Sequence, residues 1–221
     1  MPHPVTLLGD VVRLEPLDPG HVDALVSAAN EDRSTYAFTR VPPDAPSMRS
    51  YVESVLADQA AGLALPFATR RLDTGQVVGS TRFLDLVYWT TPPTLTSSPY
   101  VRPGTVDRTA PSTVEIGATW LAASAQRSAV NTEAKLLMLG HAFETWAVER
   151  VALKTDARNT RSRQAIERIG ARFEGVHRAE QIGYDGAIRD NAYYSIIRSE
   201  WPGIRDALRR RLDISAHRSP D

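Results

Sequence analysis

The chain has 221 residues, 42% hydrophobic and 24% charged, a composition that excludes intrinsic disorder and fibrous repeats and calls for a folded core. Lys plus Arg and Asp plus Glu number 26 each, so no net field draws the chain onto nucleic acid or an anionic membrane. Cysteine is absent, which excludes disulfide frameworks, thiolate nucleophiles and Cys-ligated zinc and leaves any chemistry to oxygen and nitrogen groups.

Val5 to Leu14 reads as a strand stopped by Pro16-Leu17-Asp18-Pro19. Val22, Leu25, Val26 and Ala29 then space an amphipathic helix from Pro19 to Asn30, with Asp18 as its cap. Tyr36, Phe38 and Arg40 precede Pro42-Pro43 on a loop that could line a pocket. A second helix spans Ser47 to Ala61, with Ser47 as its cap. Leu65 to Leu72 and Gln76 to Leu86 form a hairpin about Asp73-Thr74-Gly75. From Val87 to Thr113 the pattern dissolves into Thr, Ser and Pro, the mark of a long insertion beside a functional site. A strand at Val114 to Leu121, a helix at Asn131 to Val148, a strand at Val151 to Thr155 and a helix at Thr160 to Ile169 follow. Strands at Ala171 to Val176 and Asn191 to Ile197 and a helix carrying Ile204, Leu208 and Leu212 complete a mixed α/β arrangement. A single domain over residues 1–215 is expected, with a flexible tail over residues 216–221. There is no apolar run of about 18 residues, so the expected location is the cytoplasm. Only Lys135 and Lys154 are lysines, a bias that hints at a GC-rich bacterial genome.

The most informative stretch joins strand to helix through small and polar residues, from Trp120 to Ala134. Such a junction presents unpaired N–H groups at the positive end of a helix dipole, which suits a phosphate, and Arg127 adds a charge. An ordinary capped helix start has the same look. The wider pattern comprises Glu115-Ile116-Gly117 with Trp120-Leu121, Gln126 to Ala134, His141-Ala142-Phe143-Glu144, Val151 to Thr155, Asn159-Thr160-Arg161-Ser162 and Ile169-Gly170-Ala171 with Glu174-Gly175. In this order and spacing the chain resembles the GNAT superfamily of acyl-CoA-dependent N-acetyltransferases, in the branch typified by the ribosomal-protein acetyltransferases RimJ and RimL. The resemblance implies one GNAT-like domain with a central, mostly antiparallel, splayed sheet flanked by helices. It also implies an acyltransferase that carries acetyl from acetyl-CoA, with no metal, to a primary amine by direct attack in a ternary complex. The amine could belong to a protein N-terminus or to a small molecule, and a homodimer is compatible with the pattern. The other readings are a CoA-binding regulatory or structural module without turnover, and nucleic-acid binding by the basic 158–172 segment, which the balanced charge disfavours.

By resemblance, backbone groups near Trp120, Leu121 and Ala122 receive pantetheine, while Gln126, Arg127, Ser128, Ala129, Val130, Asn131 and Thr132 hold the pyrophosphate. Ala129 and Asn131 stand at positions where the family commonly has glycine. Asn159 matches the family asparagine near pantetheine, or caps a helix. Arg158, Arg161, Arg163 and Arg168 could meet the nucleotide phosphate or occupy an exposed helix face. The resemblance implies an acidic group at Glu115 facing the cleft as a base, although alternation puts Glu115 and Trp120 on opposite faces unless a bulge intervenes, and an ion pair is the other reading. Ile166 stands where many relatives carry a proton-donating tyrosine, and Ser162, by resemblance a donor to the leaving thiolate, could instead serve the helix start. Tyr36, Phe38, Arg40, Tyr88 and Trp89 are candidates for the acceptor pocket, only one of Tyr193 and Tyr194 can face the groove, and Glu133 is assigned to an ordinary helix start.

Overall fold

The structure, a computed structural model, describes residues 2–89, 100–101 and 110–216. Among the described residues nine strands form one sheet: β1 (Leu7–Leu8), β2 (Val12–Pro16), β3 (Ala64–Arg71), β4 (Val77–Trp89), β5 (Tyr100–Val101), β6 (Thr113–Leu121), β7 (Arg150–Asp156), β8 (Arg172–Ile182) and β9 (Ile188–Ile197). The order is β1-β2-β3-β4-β6-β7-β9-β8, with β5 paired to β4 alone. Every pairing is antiparallel except β6 with β7. Among the described residues five α-helices flank the sheet: α1 (Val22–Ala29), α2 (Ala45–Ala60), α3 (Ala129–Gly140), α4 (Thr160–Arg168) and α5 (Trp201–Ala216). Most of the expected insertion and of the expected tail lies outside the described residues.

Several boundaries differ from the periodicity. The first strand is a hairpin, because Gly9-Asp10 turns the chain between β1 and β2. Asp18 caps a 3₁₀ turn, Pro19–His21, ahead of α1. The cap of α2 is Asp44, whose side chain accepts from the Ser47 N–H, so Ser47 is the third helical residue of a capping box and not the cap. Helix α3 starts at Ala129, two residues before the expected Asn131, because the Ser128 Oγ accepts from the Val130 N–H and closes the first turn. It ends in a π turn, His141–Thr145, and does not run on to Val148. Strands β8 and β9 are longer than alternation indicated, since both continue to a hairpin at Gly183 to Ala187.

The two sheet faces are distinct. Thr81 and Phe83 of β4 and Thr119 of β6 meet α3 and its π turn through Met138, His141 and Lys135. On the opposite face Arg82 approaches Asp58 of α2, and Trp120 packs edge-on against Tyr36 after α1.

Helix α3 also ties the chain start to the sheet. Glu133 is buried, and its carboxylate accepts from the backbone N–H groups of Asp10, Val11 and Val12 at 2.9, 2.7 and 2.6 Å. It therefore belongs to the β1–β2 turn and not to an ordinary helix start. A side chain on Gly9 would put its Cβ 2.4 Å from that carboxylate, so glycine is required by close approach. Replacing Glu133 with alanine strands three donors and should destabilise the protein by about 3 kcal/mol or more, read by urea denaturation. On the same helix Lys135 is fully enclosed against Thr119 and Thr81 hydroxyls, and burial lowers its amine to about 7. The unfolded chain then binds more protons between pH about 7 and 10.5, so stability should fall as the pH drops across that window and level off below it. Lys135→Met should remove that slope.

Candidate active site

The site begins where β6 leaves β7. The two strands pair in parallel only at Thr113↔Arg150, Val114↔Val151 and Glu115↔Ala152, whereas β6 stays paired with β4 as far as Leu121. From Ile116 onward β6 has no pairing with β7. Gly79 permits the close crossing of β4 and β6 there, since a Cβ would lie 2.1 Å from the Trp120 carbonyl oxygen.

Two bulges shape the neighbouring surface. Arg82 pairs with Gly117 and Ser80 with Trp120, so β6 inserts one residue, and Ala118 takes φ 48°. That insertion brings Glu115 and Trp120 to the same face, the face of α1 and α2. Leu84 pairs with Glu115 and Val87 with Thr113, so β4 also bulges, and Asp85 takes φ 50°.

Glu115 is 5% exposed, and the Lys154 ammonium lies 3.1 Å from its Oε2. Burial pushes the Glu115 carboxyl up to about 7, with Asp85 adding to the rise and Lys154 opposing it. Lys154 is itself raised by Glu115 and Asp85 against its own desolvation, and it reaches Asp85 at 3.6 Å. The Lys154 ammonium also stands 5.8 Å from the centre of the Tyr193 ring, on which His177 stacks at 4.0 Å. Burial and the hydrogen bond to Glu180 push the Tyr193 phenol up to about 12. Tyr194 faces the other way, fully buried, with its hydroxyl bonded to Arg163 and Glu167. Sequence reasoning missed Lys154, Asp85 and Glu180, because their proximity to Glu115 or Tyr193 depends on strand register and a bulge.

The second part of the site is the turn between β6 and α3. Arg127 holds the left-handed conformation, φ 59°, and with Ser128 it is exposed, whereas Ala129 is the first helical residue. The strained position of the loop is thus Arg127, not either of the glycine-like positions. The first-turn amides of α3 lack intrahelical acceptors by the geometry of a helix, and Val130 uses Ser128. Asn131 and Thr132 are half-buried in that first turn.

The Gln126 side chain is a junction. Its amide donates to the Leu121 carbonyl at 2.9 Å and to Thr35 Oγ1 at 3.1 Å, and its Oε1 accepts from Arg161 at 2.5 Å. Tyr36 donates to the same Leu121 carbonyl at 3.0 Å, and the Ala122 N–H donates to Val78 at 2.7 Å. Two backbone groups expected to receive pantetheine therefore already have internal partners. Of the arginines near α4, Arg161 reaches the turn, Arg158 pairs with Asp156 and Asp185, and Arg163 serves Tyr194. Asn159 caps α4, its Oδ1 accepting from the Ser162 N–H at 3.0 Å. Ser162 is half-buried one turn into α4, and Ile166 packs against the core.

The five expected acceptor residues are dispersed. Tyr36 is half-buried beside Trp120, and Phe38 lies 5.3 Å beneath the Arg158 guanidinium, while Arg40 is exposed. Tyr88 belongs to the hydrophobic core at 2% exposure, and Trp89 is 40% exposed beyond it. Among the described residues no group of three or more His, Asp or Glu side chains could hold a metal ion, and no helix is long and apolar enough to cross a membrane.

Residues 12–172 match the acetyltransferase (GNAT) domain. YdaF of Bacillus subtilis (strain 168), which carries the name of a ribosomal N-acetyltransferase, is 35% identical over 84 residues, or 38% of this chain and 45% of YdaF. The chain thus matches less than half the length of that relative. A GCN5-related N-acetyltransferase from Brucella melitensis superposes with a TM-score of 0.76 at 26% identity, covering 95% of this chain and 86% of that one. Mycobacterium smegmatis RimJ, in complex with CoA-disulfide, shares the fold with a TM-score of 0.71 at 22% identity, over 95% and 93% of the two chains. With the splayed strands, the bulged β6 and a domain match over most of its length, the chain belongs to the GNAT acetyltransferase family.

Proposed function

We propose that the protein is an acetyl-CoA-dependent N-acetyltransferase acting on a primary amine. The observation that carries this reading is the buried Glu115 carboxylate where β6 parts from β7, on a strand that runs on to an exposed turn carrying Arg127. The opening beyond Glu115 and the exposed turn at Arg127 and Ser128 fit a long ligand with an anionic end. The first-turn amides of α3, together with Arg127 and Arg161, would hold the phosphates. The free edge of β6 near Trp120 would hold the pantetheine arm, with Asn159 primarily a cap. Bound acetyl-CoA supplies an acetyl group activated as a thioester.

An ammonium has no lone pair to attack with, so the acceptor must lose a proton. Glu115 is suited to take it directly or through water, because a base with a pKa near the working pH combines adequate ionisation with adequate basicity. Lys154 keeps a useful fraction of Glu115 ionised despite burial. The amine nitrogen forms its bond to the acetyl carbon as the carbon–sulfur bond breaks, and the departing sulfur takes a proton from Ser162 or from water. Cytoplasmic location and a protein N-terminal acceptor are consistent with the named YdaF relative, and a small-molecule amine would meet the same base.

Because Glu115 ionises as pH rises through about 7, turnover should rise across that range. Glu115→Gln should lower turnover by about 10²- to 10⁴-fold, leave CoA affinity intact and recover partly at high pH, where neutral amine is plentiful. Lys154→Met removes the opposing cation and should move the rising limb to higher pH, read from kcat against pH. Ser162→Ala should slow turnover without recovery at high pH, and a change below about threefold with chemistry rate-limiting removes it from the reaction. Arg127→Ala and Arg161→Ala should each weaken CoA more than pantetheine in calorimetry, and equal losses would argue against phosphate contacts. An absence of CoA-thiol release with every amine tried, despite tight acetyl-CoA binding, would favour a binding module.

A further inference from the structure

Lys154 is held unequally by two carboxylates. Its ammonium lies 3.1 Å from Glu115 Oε2, within hydrogen-bond range, and 3.6 Å from Asp85 Oδ2, just outside that range. The three side chains run from the interior to water, with exposures of 6% for Glu115, 25% for Lys154 and 63% for Asp85. Asp85 owes its place to the β4 bulge between Leu84, paired with Glu115, and Val87, paired with Thr113. There it takes the left-handed conformation, φ 50°, a backbone that aspartate tolerates better than most residues but that is still strained. Strain kept at a position whose carboxylate reaches the partner of a buried base directs attention to that position.

Proton transfer changes what Lys154 needs. Once Glu115 takes a proton it is neutral, while Lys154, raised by both carboxylates against its own desolvation, remains an ammonium. A half-buried cation whose close partner has been neutralised is costly, and that cost opposes the proton's arrival. Asp85 offers the remedy, because a small movement of the flexible lysine brings it into hydrogen-bond range of a second carboxylate. The other charged or titratable groups nearby, among the described residues, are set differently. Arg82 lies on the same face of β4, with Asp58 of α2 4.0 Å from its Nη1. On the far side of Lys154 stands the Tyr193 ring of β9, whose hydroxyl is bonded to Glu180 and on whose face His177 stacks.

We infer that Asp85 is a positioning residue for the base: it receives the Lys154 ammonium when Glu115 takes the proton of the acceptor amine, and gives it back when Glu115 ionises again. The inference rests on the acetyltransferase reading for the source of that proton. Asp85 touches no reacting atom in this role and acts on Glu115 through Lys154. Burial pushes the Glu115 carboxyl up, and Asp85 adds to the rise, the direction expected if a carboxylate at position 85 favours the protonated base.

The test follows the titration of Glu115 by carbon-13 NMR in protein labelled at the glutamate carboxyls, with the Glu115 resonance identified by its loss in Glu115→Gln. Asp85→Asn keeps the size of the side chain and its tolerance of the left-handed backbone while removing the charge, and it should lower the Glu115 midpoint by about one pH unit. In a Lys154→Met background the same substitution should lower the midpoint by less than about half as much, because the ammonium that Asp85 receives is gone. With chemistry rate-limiting, the rising limb of kcat against pH should move down with the midpoint in Asp85→Asn, opposite to its movement in Lys154→Met. An unchanged midpoint in well-folded Asp85→Asn overturns the inference. An equal shift with and without Lys154 also overturns it, since repulsion between the two carboxylates then suffices, and a limb that stays while the midpoint moves removes Asp85 from the reaction. If Asp85→Asn does not fold, Asp85→Gly, which accepts the same backbone, carries the test with the same outcomes. Should no amine be acetylated, the acetyltransferase reading fails separately, and the NMR comparison still decides whether Asp85 acts on Glu115 through Lys154.

Discussion

Two neighbouring parallel strands pair over three residues and then part, and the site follows from that separation. A parallel ladder that ends early leaves a row of backbone groups without strand partners, tolerable only at an edge, beside water or against a ligand. Here it lies in the middle of the sheet. Strand β6 can afford to abandon β7 because β4 holds it along its other side, through a crossing close enough to require glycine at position 79. The bulge at Ala118 lies within the freed stretch and turns the side chains before and after it to one face. The Trp120 indole joins the face of the base only because of that extra residue.

Electrostatics divide the site into two regimes. Around Glu115 the charges are few and mutually dependent: one half-buried lysine is set against the buried Glu115 and the exposed Asp85, and at Glu115 burial outweighs attraction. Around the start of α3 the cations are exposed, and solvent screens them. The first regime suits proton movement, which needs groups whose ionised and neutral forms are close in energy. The second suits holding a permanently charged ligand that must arrive and leave.

Much of the architecture was legible in the sequence because it depends on local signals. The Asp73-Thr74-Gly75 turn, the 3.6-residue spacing of the helices and the apolar strands each declare themselves within a dozen residues, and the ordered motifs supplied the sheet. The misread features depend on contacts made elsewhere. Ala118, Asp85 and Arg127 adopt positive φ without being glycine, so residue type gave no warning of either bulge or of the strained loop position. Lys154 looked like an ordinary strand residue until parallel register set it two steps from the partner of Glu115. Gln126 and Asn159 were recognised by position, but their side-chain partners show one joining three segments and the other capping a helix. Tyr88 drew attention as an aromatic beside the insertion, whereas its place in the core follows from strand alternation displaced by the β4 bulge.

The attachment of Glu133 to the β1–β2 turn has a consequence for the order of assembly. Its three hydrogen bonds close loops of 121 to 123 residues, so β1 and β2 find this buried anchor only after that length of chain has followed them. Contacts of such long range form late, after the entropy of closing the loop has been overcome. Strand β3 can pair with β2 well before then, but the turn at Asp10 to Val12 waits for the carboxylate that its three donors meet in the finished protein. Until helix α3 forms, those donors depend on water, so closing this contact is the step that makes the turn a buried part of the fold.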